Sequence, residues 1–474
     1  MKLYDFLKNI VKYCIPSVVS AIIGILVIPI ISRIYPTSDY GKINIFYSVG
    51  NMVLYIVLLG LDSAYIRFYF EQPEGIERKQ LFQLAFWTGA LLDMIACAAA
   101  ICLFPNIVGN YLFGEVNNKL VFLLGVYIFG LLLFRLLTIE TRMENQALLY
   151  NIQQLLLIFT NRVSFVLIAF YTTDYQYALF AITISSLVIG VFFLVKQKAL
   201  NDFKLSHIPI EKLQYIFKFA IPLMPTTVMV WLNNSAAKIV LSGYDDFDSV
   251  GVLSIATSVA NIFSLIPSAF AIYWSPFIYK NYKIEQDFIK KIHSYICILS
   301  IGIILFIYYV QDIIYAFVGI GYKTSQPYFL LIMLAPIQSL LCETTSYGIV
   351  LSNNTKYNLY ISILAVSFNI LFGFFLYPQL HIYAVVIGIA GAAIVQLFLK
   401  TVIGQRYYES IENYGQTLAG ALIIISIAIC NVFTYDLIKA RIVIGILVLM
   451  LSYLIYHRQI INALSEIKSI KQNP

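Results

Sequence analysis

Charge is scarce in this chain. Of 474 residues, 12% are Asp, Glu, Lys or Arg, about half the share that a soluble domain carries. Histidine, at four residues, and tryptophan, at three, are scarcer still. His207, His293, His381 and His457 are scattered over loops and helix ends, so neither a metal-ligand cluster nor a Ser/His/Asp set can be assembled. The six cysteines (Cys14, Cys97, Cys102, Cys297, Cys342, Cys430) all fall inside apolar runs and none forms a CxxC. This excludes a disulfide frame and a zinc site and leaves them as small buried apolar residues. The stretch GIGYKTS (319–325) lacks the GK[ST] of a P-loop, and nothing else supports ATP hydrolysis. DDFD (245–248) has the DxD spacing of metal-dependent glycosyltransferases but no catalytic domain around it, and reads as a solvated turn. No enzyme chemistry and no resident cofactor is expected.

What the chain has instead is apolar surface. It is 60% hydrophobic with a mean hydropathy of +0.83, and apolar runs of at least 18 residues recur from end to end. That pattern predicts an all-α polytopic membrane protein. A β-barrel would show alternating segments about half as long. Fourteen spans can be marked, near 10–33, 43–66, 81–103, 119–139, 149–171, 175–195, 214–240, 250–274, 291–310, 327–349, 358–378, 383–403, 414–433 and 439–457. Lys2, Lys8 and Lys12 precede a first apolar stretch too long for a signal-peptide core and without a small-residue cleavage site, so it reads as an uncleaved span. Loops are short, the longest being 196–213.

With fourteen spans both termini share one side. That side holds 23 of the 31 Lys and Arg residues, the other side seven, and Arg162 lies within span five. The bias places both termini in the cytoplasm. The net charge of +7 therefore reports topology and not nucleic-acid binding. After His457, Ile460, Ile461, Leu464, Ile467 and Ile470 recur at helical spacing between lysines, a pattern suited to a membrane surface.

The second half repeats the first. IVKYCIP (10–16) matches IFKFAIP (216–222), and GKINIFYSVGNMV (41–53) falls against GVLSIATSVANIF (251–263). Arg33 then pairs with Lys238, Gly41 with Gly251, Ser48 with Ser258 and Asn51 with Asn261. Six spans separate the copies, so they share one topology, the parallel-repeat plan of some secondary transporters. Span two carries Asn44, Ser48, Asn51, Tyr55, Asp62 and Tyr65 on one face. Span eight carries Ser254, Ser258, Asn261, Ser268 and Ser275, and span seven Thr227, Trp231, Asn234 and Lys238. Lipid satisfies none of these groups. They line a hydrated cavity or glue helices together.

Charges within spans cost roughly 2.5–3.5 kcal/mol each on insertion scales, so they are paired or functional. Asp93, Arg162 and Glu343 lie deepest. Asp93 and Arg162 would suit an ion pair. Glu343, with Pro336, Ser339 and Ser346 on its face, would suit proton or sodium coupling, or burial beside a partner. Asp62, Arg67, Arg33 and Lys238 lie nearer span ends, where snorkelling competes.

The first-span Ile-Pro followed by SRIYPTSDYGKINIF, with Arg33, Asp39, Tyr40 and Gly41, resembles the bacterial polysaccharide flippases, the Wzx-type O-antigen and capsule repeat-unit translocases. These belong to the multidrug/oligosaccharidyl-lipid/polysaccharide (MOP) transporter superfamily. Ile221, Pro222, Gly251 and Ile255 carry the second-half pattern. One departure stands out: where members often carry Asp-Arg near the end of span seven, this chain has Ala237-Lys238. The cation is kept and the acid is lost.

The resemblance implies a MATE-like plan of two six-helix lobes (1–200 and 213–403), two further spans (414–457) and a cytoplasmic tail (458–474). It implies a monomer in the bacterial inner membrane that flips an undecaprenyl-diphosphate-linked oligosaccharide by alternating access, alongside a polysaccharide polymerase and a chain-length regulator. The residues expected at the substrate are Arg33, Lys238, Arg67, Asn44, Ser48, Asn51, Tyr55, Trp231, Asn234, Ser258 and Asn261. Asp62, Asp93, Arg162 and Glu343 are the candidates for coupling. A MATE-like drug or cation exporter, or a flippase for another lipid-linked glycan such as lipid II, is the competing expectation.

Overall fold

A computed structural model describes residues 19, 22–69, 72–73, 76–144, 146–197, 208–352, 354 and 356–472, and among these the chain is helical with no strand. Lys2, Lys8, Lys12, Cys14, the first Ile-Pro, Lys198, Lys204 and His207 lie outside the described residues. The helices are α1 (Ile22–Ile34), α2 (Thr37–Val57), α3 (Leu61–Phe68), α4 (Arg78–Cys102), α5 (Pro105–Phe113), α6 (Asn118–Met143), α7 (Ala147–Arg162), α8 (Ser164–Ile168), α9 (Tyr175–Lys196), α10 (Ile210–Ala220), α11 (Met224–Ser242) and α12 (Phe247–Phe263). Then follow α13 (Leu265–Asn281), α14 (Gln286–Ala316), α15 (Phe329–Thr345), α16 (Tyr347–Leu351), α17 (Lys356–Leu380), α18 (Ile382–Tyr407), α19 (Tyr414–Thr434) and α20 (Ile438–Gln472). Ten segments are long and apolar enough to cross a membrane, two more are bent helix pairs, and α1 and α15 are shorter apolar helices. These fourteen segments follow the order of the fourteen predicted spans. The tail after His457 continues α20 without a break.

Local sequence sets the boundaries. Pro36 precedes α2, and Pro105 opens α5, where its missing N–H costs nothing. Asn117, Asp174 and Asn413 accept backbone N–H groups at the starts of α6, α9 and α19. Gly114 closes α5 in the left-handed region, at φ 68°.

The chain forms two compact units, Met1–Ser254 and Ile255–Pro474. In the first, α6 is the central helix, packed by α2, α4 and α9, with Leu132, Leu136 and Leu137 fully buried. Two spans are broken. The second bends by 56° between α2 and α3, where Leu59 and Gly60 take positive φ of 49° and 76°. The seventh bends by 52° between its arms Ile210–Met229 and Trp231–Ser242; within the first arm a short 3-10 turn over Ile221–Leu223 lies where Pro222 and Pro225 offer no N–H to a continuous ladder. The two broken spans meet: a Cβ at Gly60 would collide with the Ala220 carbonyl. α2 lies along α11, and α3 along α10.

At the first turn of α2 the contact is reciprocal. A Cβ on Gly41 would strike the Phe247 carbonyl, and one on Gly251 the Thr37 carbonyl. The Thr37 hydroxyl donates to the Asp248 carboxylate, and the Lys42 ammonium sits 4.6 Å from the Tyr175 ring centre and 5.6 Å from that of Phe247. Gly41 and Gly251 were paired as repeat equivalents. They are also neighbours, so the two copies of the repeat touch at their own matching glycines.

In the second unit, α17 and α18 form a close hairpin, with α15 against α18 and α14 against both α15 and α19. Polar pins fasten α19 and α20 to α14. Gln311 donates to Asn431 at 2.6 Å, the Tyr308 and Thr434 hydroxyls lie 2.7 Å apart, and Arg441 pairs with Asp312 and donates to the Tyr308 carbonyl at 3.2 Å. His293, 1% exposed, bridges Thr344 at 2.8 Å and Thr417 at 3.0 Å.

Because a side chain at Gly41 or Gly251 would meet backbone, Gly41→Val and Gly251→Val should each destabilise the protein by about 1–3 kcal/mol. Gly302, which has open space around it, is the control: Gly302→Ala should be neutral or raise the melting temperature. Thermal unfolding of the purified protein in lipid nanodiscs reads all three.

Candidate functional site

The polar face of the second span survives as a physical feature. Asn44 and Asn51 each donate their amide NH2 to the carbonyl four residues back, of Tyr40 at 2.9 Å and Tyr47 at 2.8 Å. Using the donor locally leaves the amide oxygen for a partner elsewhere. Asn44 spends its oxygen on the Lys238 ammonium, at 3.3 Å across the α2–α11 contact. Asn44, Asn51 and Tyr55 are half-buried, while Ser48 is buried. Lys238 is half-buried, and among the described residues it has no carboxylate partner. The lost acid before it is therefore not replaced from elsewhere in the first unit.

At the other end of the stripe the sequence reading missed a residue. Asp62, 3% exposed at its side chain, accepts from the Arg135 guanidinium at 2.9 Å. Arg135 comes from α6, about two turns before its end. Its guanidinium carbon lies 5.9 Å from the Tyr55 ring centre, and its side chain is 40% exposed although its neighbours on α6 are buried. Arg135 had entered the reading only as one of the 23 cations of one side. The available signal was its position inside predicted span four, opposite an acid, Asp62, inside predicted span two. A buried carboxylate fixes one edge of the guanidinium and leaves the other open, a geometry that suits a second oxyanion. The stripe is thus flanked by a cation at either end. From Asn44 to Tyr55 the helix rises about 17 Å.

The remaining expected residues fall around this core or away from it. Arg33 closes α1 and is exposed, as is Arg67 at the end of α3. Trp231 is half-buried and Asn234 exposed on α11. Ser258, half-buried, and Asn261, exposed, belong to the second unit. Glu343, also in the second unit, is half-buried and accepts from the Tyr347 hydroxyl at 3.4 Å. The suggested Asp93–Arg162 pair does not form. A Cβ on Gly24 would collide with the Arg162 guanidinium, so Arg162 packs against α1. Asp93, 4% exposed, instead faces a cavity among α2, α4, α5 and α6. Equal depth along the membrane normal does not put two side chains on facing sides of their helices.

Among the described residues no group of three His, Cys, Asp or Glu side chains could hold a metal ion. The site offers cations, amides and aromatic rings to a large polar solute.

The fold matches that of a structure described as lipid II flippase MurJ in an inward closed conformation, with a TM-score of 0.69, 17% identity, and coverage of 95% of this chain and 100% of that one. A weaker likeness, with a TM-score of 0.44 and 14% identity over 81% of this chain and 97% of the other, is to an inward-facing multidrug resistance MATE family transporter of the MOP superfamily. The comparison with curated proteins finds no relative. The profile of the polysaccharide biosynthesis protein family matches residues 6–282, more than half of the chain and all of the stripe with both of its cations. This all-α polytopic membrane protein belongs to the polysaccharide biosynthesis protein family.

Proposed function

We propose that this protein flips undecaprenyl-diphosphate-linked oligosaccharide repeat units across the bacterial cytoplasmic membrane, by alternating access and without catalysing a reaction, for assembly of a surface polysaccharide. The observation that carries the reading is the α2 stripe with Lys238 at one end and Arg135 at the other. A diphosphate is the strongest charge on such a substrate, and it needs cations to leave water. Arg135 can grip it with the open edge of its fork, while Lys238 acts as a point charge. Between them Asn44 and Asn51 exchange hydrogen bonds with sugar hydroxyls, and Tyr55 and Trp231 stack on sugar faces. The lipid tail stays in the bilayer while the head crosses. Arg33 and Arg67 extend the cationic path, and Ser48 and Asn234 complete its polar walls; Ser258 and Asn261 offer the same chemistry on the second unit.

The topology that fits this reading has both termini in the cytoplasm, so that Arg135 and Arg67 face the inner leaflet, where the substrate arrives, and Lys238 and Arg33 the outer. The protein acts as a monomer, and a polymerase and its chain-length regulator take the flipped unit. Glu343 and Asp93 are left to couple the cycle to protons or sodium, because Asp62 is engaged with Arg135. The family and the MurJ-like fold support a lipid-linked glycan in general. The rival glycan is lipid II, since a structure similar in fold over 95% of this chain is described as a lipid II flippase.

Arg33→Ala and Lys238→Ala should each abolish surface polysaccharide while membrane levels of the protein stay normal, as read by immunoblot and by polymer gels. Full-length polymer in both variants would end the anion-guiding role. If cells instead arrest in peptidoglycan synthesis with their polymer intact, lipid II is the substrate.

Arg135 separates function from folding. Arg135→Ala strands the buried Asp62 carboxylate and should cost about 3–5 kcal/mol. The double variant Asp62→Asn/Arg135→Gln removes both charges and should recover most of that stability, measured by thermal unfolding. Polymer should stay absent in the stable double variant, because the open guanidinium edge is gone.

A further inference from the structure

The first unit contains a cavity that lies apart from the α2 stripe. It has a volume of about 320 Å³ and lies among α2, α4, α5 and α6. Its walls are aliphatic apart from three side chains. Asp93 and Cys97, one turn apart on α4, face it together, and Tyr111 of α5 contributes its ring. The Tyr111 hydroxyl is turned away and donates to the Ile239 carbonyl at 2.8 Å. α2 supplies Val49, Met52 and Val53, and α6 only aliphatic side chains and Gly125. No lining residue is a cation. Asp93 is 4% exposed, and its Oδ1 is buried without a hydrogen-bond partner.

Such a site has a recognisable chemistry. Its volume lies within the range of small-molecule pockets, roughly 300–1,000 Å³, which are mostly apolar with a few placed polar groups. A carboxylate removed from water needs a counter-charge or a proton, and no lining group supplies the counter-charge. An aromatic wall adds attraction for a cation. We infer that this cavity binds an organic monocation with an apolar body, the Asp93 carboxylate serving as its counter-ion and the aliphatic walls holding the rest. Binding therefore exchanges the cation for a proton on Asp93, one for one, with no net charge left in the membrane. Cys97 and Tyr111 are the only other titratable groups of the lining, and both are neutral when protonated, so Asp93 alone sets the pH dependence.

The site is distinct from the stripe. Val49, Met52 and Val53 lie on a different face of α2 from Asn44, Ser48, Asn51 and Tyr55, and neither Lys238 nor Arg135 lines the cavity. Its test accordingly measures binding and does not depend on flipping.

The probes are benzyltrimethylammonium, a permanent cation, and neopentylbenzene, the same shape with carbon in place of nitrogen. Binding to the full chain in lipid nanodiscs is followed by saturation-transfer NMR. The cation should bind saturably and weaken as the pH falls, because protonation removes its partner. Asp93→Asn should weaken it at least tenfold and leave the neutral probe unchanged. In the unsubstituted protein the cation should also slow alkylation of Cys97 by N-ethylmaleimide, read peptide by peptide in a mass spectrometer. This measurement stands even where Asp93→Asn fails to fold. Equal binding of the two probes, cation binding indifferent to Asp93→Asn, or unaltered Cys97 alkylation at saturating cation would each overturn the proposal.

Discussion

The first unit depends on backbone touching backbone along the second span. Gly60 lies on the Ala220 carbonyl, Gly41 on the Phe247 carbonyl, and Gly251 on the Thr37 carbonyl. In a bilayer, helices gain little from hiding apolar surface from one another, and close packing between small residues carries association instead. A helix held by glycines at both of its ends cannot rotate about its axis without opening those contacts. The polar face of α2 is therefore fixed in azimuth, and that is what sets the Asn44 oxygen 3.3 Å from the Lys238 ammonium. The breaks serve the same end. The second span bends at Gly60 and the seventh between Met229 and Trp231, and the two stay in contact along α3 and α10 as well as along α2 and α11.

The parts of this arrangement legible in the sequence are those carried by periodicity. Among the described residues twelve of the fourteen apolar runs give helices long enough to span, two of them bent, and the other two give shorter apolar helices, because a run of about twenty apolar residues has one stable answer in lipid. The stripe of Asn44, Asn51 and Tyr55 follows from steps of three and four. Glycine positions gave more than expected: the alignment that paired Gly41 with Gly251 as copies also named two residues in contact, since a repeat axis brings equivalent residues together only where it passes between them.

The partners of the charged groups were not legible, and the reason is geometric. A sequence gives the depth of a side chain in the membrane and its angle relative to its own helix. It does not give the angle between one helix and the next, which here is set by contacts such as Gly89 on Leu132 and Gly125 on Cys97. Depth alone suggested joining Asp93 to Arg162. The packing sends Arg162 to Gly24 of α1 and Asp93 to a cavity on the far side of α4. The same angle brings Arg135, hidden among topological charges, onto Asp62 and over Tyr55.

The cost of charge in an apolar medium then sorts these groups by use. Where an acid meets an arginine, as Asp62 meets Arg135 and Asp312 meets Arg441, the pair joins two helices and the acid is spent. Arg441 is 4% exposed and presents no open edge to solvent. Arg135, at 40%, keeps one edge open and so combines a structural bond with a free binding surface. Among the described residues Lys238 has a neutral amide and no carboxylate for a partner, and Asp93 has none for its Oδ1. Groups left this way are tolerated only where a ligand, a proton or water completes them. On the two proposals made above, the incompletely paired charges of the first unit mark where other charges arrive: an anion at the stripe, and a cation at the cavity lined by Asp93.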